Sequence, residues 1–160
     1  MPITSVDKDP GNLTLTVIGD YPVTQKRLWE AYADPRQLER FWGPVEWPAK
    51  FTRHDMKQGG RSEYFMQGPN GEKSAGYWTF LAIDPMDSFE VKDGFATDEG
   101  KENAQMPSMT MQFSFEATKS GARVTIVTTF PSLEAMEQLT QMGMEEGLRS
   151  AMGQLDAVLA

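Results

Sequence analysis

The chain has 160 residues, 39% of them hydrophobic and 24% charged, and its 15 Lys and Arg against 23 Asp and Glu give a formal net charge of -8. That length suits a single domain with a core of its own, the acidic balance repels phosphate backbones and argues against nucleic acid as a partner, and no apolar run is long enough for membrane insertion. Cysteine is absent, which excludes disulfides and thiolate chemistry, and MPITSVDKDPGN at 1–12 has neither the basic nor the apolar region of a secretory signal, so a cytoplasmic location is expected.

Residues 1–11 read as a flexible N-terminal arm closed by the Pro10-Gly11 turn, ahead of one domain over 12–160. Leu13, Leu15 and Val17 then alternate with Thr14 and Thr16, the period of a half-buried strand. From Pro22 the spacing changes to that of helices: Leu28, Ala31 and Tyr32 share one face, and Leu38, Phe41 and Trp42 repeat it. The second helix lies in DPRQLERFWGP at 34–44. Asp34 caps it, Pro35 takes its first position, Gln37 is placed for a capping-box-like pair, and Gly43-Pro44 stops it. Its last turn therefore presents Phe41 and Trp42, either to plug a core or to wall a cavity.

About eighty residues of strand follow, punctuated by Gly59-Gly60, GPNGE at 68–72, DPMD at 84–87 and KSGA at 119–122. Alternation is clear in Ser62, Tyr64 and Met66, in Trp78 and Phe80, in Phe89 and Val91, in Met109, Met111, Phe113 and Phe115, and in Val124 and Ile126. Short turns between such neighbours imply an antiparallel meander, with residues 94–107 as its one long polar loop. Beyond Phe130-Pro131 the period is helical to the end, capped by Ser132 and striped by Met144, Leu148, Ala151, Met152, Leu155 and Leu159, with a break expected near Gly143. The order predicts an α+β fold: a curved antiparallel sheet of six or seven strands wrapped around a long C-terminal helix, with two short helices after the first strand. One helix, about 10–12 Å wide, cannot fill such a concavity alone.

DPRQLERFWGP at 34–44, HDMKQGGRSEYFMQGPNGE at 54–72, the strand start Gly76-Tyr77-Trp78, DPMD at 84–87 and GMEEGLRSAMGQLDAVLA at 143–160 together resemble the single-domain bacterial proteins similar to the C-terminal domain of the activator of heat-shock-protein-90 ATPase. That family lies within the START and birch-pollen-allergen superfamily of helix-grip folds. The resemblance implies a deep, mainly apolar pocket between sheet and C-terminal helix, with Trp42 near its mouth, of the kind that binds hydrophobic molecules elsewhere in the superfamily. It also brings the family's stress-response association. One departure is Phe80, where relatives often carry Glu, so the pocket is expected to be more apolar than theirs.

Trp42, Tyr64, Met66, Trp78, Phe80, Met109, Met111, Phe113, Gly147 and Leu148 are the candidate ligand-binding residues. Each aromatic has a second reading as core, since large rings bury area wherever they land. Eleven methionines suit adaptable packing, and Gly147 leaves room where the helix crosses the sheet. His54 is the only histidine. It lacks the partners and the nucleophile elbow of a triad, so it reads as a surface or turn-stabilising residue. No catalytic residue, metal site or cofactor is assigned. The expected function is binding of a small hydrophobic molecule by a monomer or homodimer, the alternatives being a chaperone-interacting protein and a polyketide cyclase or aromatase-like enzyme.

Overall fold

A computed structural model describes residues 2–97 and 99–160. Eight strands, rather than six or seven, form one antiparallel sheet: β1 (Ile3–Asp9), β2 (Thr14–Tyr21), β3 (Ala49–His54), β4 (Arg61–Gln67), β5 (Lys73–Asp84), β6 (Ser88–Phe95), β7 (Met109–Ala117) and β8 (Ala122–Thr129). Their order is β1-β2-β8-β7-β6-β5-β4-β3. Between β2 and β3 lie α1 (Gln25–Ala33) and α2 (Pro35–Leu38), and α3 (Leu133–Gln141) and α4 (Met144–Leu159) close the chain.

The extra strand is β1, from the stretch expected as an arm. It pairs with β2 from Ile3 opposite Gly19 to Asp9 opposite Thr14, with a register shift between Ile3 and Ser5. That irregularity puts Ile3 and Val6 against the core three residues apart, so the period of two is lost and the sequence does not read as strand. Met1 of the expected arm lies outside the described residues. At the other polar stretch, Gly94 and Phe95 complete β6, and Ala96 donates its N–H to the Ala75 carbonyl at 2.9 Å. Asp98 of that loop lies outside the described residues.

The helices begin where their caps allow. Thr24 accepts from the Arg27 amide at 3.1 Å, Asp34 from Arg36 at 2.9 Å and Ser132 from Ala135 at 3.0 Å. The Gln37 side chain reaches the Asp34 carboxylate at 3.0 Å rather than a backbone amide. Helix α2 is a single turn, and Phe41 and Trp42 follow it in a turn whose amides bond to the Leu38 carbonyl at 3.2 and 2.9 Å. The break at Gly143 is a left-handed residue with φ 91°, a conformation glycine adopts without steric cost.

One face of the sheet supplies the core: Leu15 and Val17 of β2, Val124 and Ile126 of β8, Phe113 and Phe115 of β7, Phe89 and Val91 of β6, Trp78 and Phe80 of β5. Helix α4 lays Leu148, Ala151, Met152 and Leu155 across that face, and α1 adds Leu28, Trp29 and Tyr32. Arg27 binds the two helices together, donating to the Val158 carbonyl at 3.0 Å. No helix is long and apolar enough to cross a membrane. Leu155 is fully buried; its truncation to alanine is expected to cost about 2–5 kcal/mol, read as an earlier urea midpoint at unchanged slope.

Candidate functional site

Helix α4 and the aromatic cluster beneath α1 fill only part of the sheet's concavity. Between β4–β7 and the α3–α4 break lies a cavity of about 420 Å³, within the size range of small-molecule sites. Glycine makes room for it twice. At Gly76 of β5 a Cβ would stand 2.6 Å from the Tyr64 ring, which lies across it from the neighbouring strand. At Gly147 of α4 a Cβ would meet nothing within 4 Å, because that turn of the helix faces open space. The mouth is rimmed by Pro44, Trp47 and Met142, the last 52% exposed.

Seven of the ten residues expected at a ligand site line this cavity: Trp42, Tyr64, Met66, Met109, Met111, Gly147 and Leu148. Trp78, Phe80 and Phe113 do not. All three are fully buried on the far side of Trp42, where Trp78 meets the Trp42 ring edge-on at 5.1 Å and Phe113 stacks on Phe89 at 4.5 Å. Alternation places a side chain on a face of the sheet but not at a depth along it, so wall and closed core looked alike. The aromatic pair after α2 splits the same way. Phe41 is core, edge-on to Tyr32 at 5.1 Å, whereas Trp42 is the partition between core and cavity.

Sequence reasoning missed Asp93. It continues the inward series Phe89, Val91 on β6, lines the cavity and is 6% exposed. The signal was present in that alternation. The Tyr64 hydroxyl donates to its Oδ1 at 3.2 Å, and the indole N–H groups of Trp42 and Trp78 are buried nearby without an acceptor in hydrogen-bond geometry among the described residues. Phe80, the residue behind the expectation of a more apolar pocket, sits in closed core, and the cavity keeps one carboxyl, from a different strand.

The profile of the activator of Hsp90 ATPase homolog 1-like protein family matches residues 22–160. The chain belongs to that family. Among solved structures, it is similar to protein Ms6760 of Mycobacterium smegmatis, with 45% identity over 99% of this chain and 98% of that one and a TM-score of 0.92. A protein of Arthrobacter aurescens solved by NMR has 42% identity over 98% and 91% of the two chains and a TM-score of 0.93. The AHSA1 protein of Silicibacter pomeroyi, 21% identical over 91% and 96% with a TM-score of 0.72, shares the fold. No curated protein matches the chain. The family's helix-grip architecture is of a ligand-binding kind.

The two ionisable groups in the cavity lining are strongly shaped by burial. Desolvation pushes the Asp93 carboxyl up to about 7, against the hydrogen bond from Tyr64 and the nearby Trp78 N–H, which favour the charged form. Burial and the neighbouring Asp93 charge in turn raise the Tyr64 phenol well above its ordinary value. His54 is not a surface residue. Its Nε2–H donates to the Tyr32 carbonyl at 3.0 Å, in the last turn of α1, and its Nδ1 accepts from the buried Ser62 hydroxyl at 2.7 Å. The carbonyl can only accept, which assigns the tautomer. With both nitrogens engaged, His54 joins α1 to β3 and β4, and desolvation lowers its pKa. Among the described residues no three His, Asp or Glu side chains converge on a metal position.

Opposite pH dependences follow. Asp93, raised in the fold, stabilises the native state fully below the unfolded value near 4 and loses that contribution as pH rises through about 7. Its effect spans on the order of 4 kcal/mol, and Asp93→Asn is expected to remove this fall of the thermal midpoint with rising pH across that window. His54, lowered in the fold, acts in reverse: its contribution is complete above about pH 6.5 and falls on acidification below it. His54→Ala is expected to cost roughly 1–3 kcal/mol in denaturant unfolding, while leaving the cavity's binding properties unchanged.

Proposed function

We propose that the protein binds a small, mainly hydrophobic molecule in the cavity between the sheet and α4, and acts as a binder rather than as an enzyme. The observation that carries this reading is the combination of about 420 Å³ of unfilled space with a wall of Met66, Met109, Met111, Leu148 and Trp42. An apolar space of that size, left open in a fold that buries its other aromatics tightly, pays a packing penalty that a guest removes. Methionine side chains suit guests of varied outline, being unbranched and polarizable. Triad chemistry has no support, because both nitrogens of the single histidine serve the fold.

Gly147 gives the direct test. A leucine there projects into open space, improves helix propensity by up to about 1 kcal/mol, and occupies the cavity. Gly147→Leu is therefore expected to keep or raise the thermal midpoint while weakening the neutral fluorophore N-phenylnaphthylamine by about tenfold or more. Unchanged dye affinity in the folded variant overturns the cavity as the binding site. A chaperone-interacting role, the alternative that the family name suggests, makes no use of the cavity, and capture of a chaperone by both forms alike would favour it.

A further inference from the structure

The cavity lining carries the hydroxyls of Tyr64 and Ser74 and one carboxyl, that of Asp93. Asp93 is more than nine-tenths buried and lines the cavity. Its Oδ1 accepts from Tyr64, and that is the one hydrogen bond in good geometry that its carboxyl makes among the described residues. The indole N–H groups of Trp42 and Trp78 are buried beside it, and neither meets an acceptor in hydrogen-bond geometry among the described residues. What distinguishes the carboxylate is charge: it is the one acid of the cavity lining, and no cation faces it there among the described residues.

No Lys, Arg or His lines the cavity among the described residues. On β5, Trp78 pairs with Asp93 and Tyr77 faces the other side of the sheet, though its phenol feels the Asp93 charge. On β7, Met109 stands opposite; α4 offers Gly147, Leu148 and Ala151, none of them ionisable. Tyr64 of β4 is the one titratable group in contact. Aromatic rings complete the surroundings: Trp42, Tyr64, and Phe95 two residues along the same face of β6, with Trp47 at the rim. Ring faces attract cations within about 6 Å, and the chain's net charge of -8 draws cations toward it.

We infer that the cavity takes a lipophilic primary amine, its apolar body among the methionines and its ammonium group seated on the Asp93 carboxylate between the aromatic rings. The inference rests on the ligand-binding reading above and specifies the ligand's polar end. An ammonium supplies both a further donor and the charge that nothing else in the cavity provides. An alcohol supplies only the first, and a fatty acid brings a second negative charge.

Octylamine, octanol and octanoate, matched in their chains, separate these cases by calorimetry on the wild-type protein. At about pH 8 octylamine is expected to bind about tenfold tighter than octanol, with octanoate weakest. Between about pH 8 and pH 6 its affinity should fall about tenfold as Asp93 takes up a proton, while octanol hardly changes. Asp93→Asn should erase the amine's advantage and leave octanol binding intact. If that variant does not fold, the wild-type pH series decides alone. Octanol binding as tightly as octylamine, or an octylamine affinity indifferent to pH, overturns the inference. So does failure of all three where N-phenylnaphthylamine still binds, which spares the cavity reading; failure of the dye as well removes both.

Discussion

The edge-to-face contact of Trp42 with Trp78, 5.1 Å between centroids, divides the molecule into a filled half and an open half. Behind it the rings of Trp78, Phe80, Phe89, Phe113, Phe115 and Tyr32 touch one another at centroid distances from 4.5 to 6.2 Å, which is the density of an ordinary core. In front of it the same sheet carries Tyr64, Met66, Asp93, Met109 and Met111 around the cavity, which the last two helices border with Leu139, Gly147, Leu148 and Ala151. Helix α1 supplies the filling on one side and has no counterpart on the other. The cavity is thus a consequence of where the two short helices land.

That division explains which parts were legible in the sequence. Period-two alternation and the switch to helical spacing at Phe130-Pro131 identified β2, the meander β4–β8 and the face each strand buries, because those patterns report which side of an element meets the core. They carry no coordinate along the strand. Trp78 and Tyr64 therefore looked equivalent although one is sealed and the other lines the cavity. Strand β1 was hidden by its register shift, and the one-turn length of α2 by Phe41 and Trp42, whose spacing continues the helical stripe while their backbone has left it.

Asp93 was hidden for a chemical reason. A reader of hydrophobic periodicity stops the strand at Val91, its last apolar residue before two charged ones in a row, and Lys92-Asp93-Gly94 looks like the start of a loop. The backbone continues to Phe95, so the acid arrives on the inward face among rings and thioethers. A buried carboxyl with one protein hydrogen bond and no counter-charge lowers stability in the empty protein. Local rules of that kind are most often broken where a fold trades stability for a site, and here the break falls at the one acidic residue lining a mainly apolar cavity.

The Gln154 side chain of α4 donates to the Gly43 carbonyl at 2.7 Å, and no side chain fits at Gly43, where a Cβ would collide with the Trp47 carbonyl. The segment carrying Trp42 and Trp47 is in this way suspended from the helix that carries Gly147. Opposite walls of the mouth then share one anchor, so a tilt of α4 displaces both together and the aperture behaves as a single mechanical coordinate.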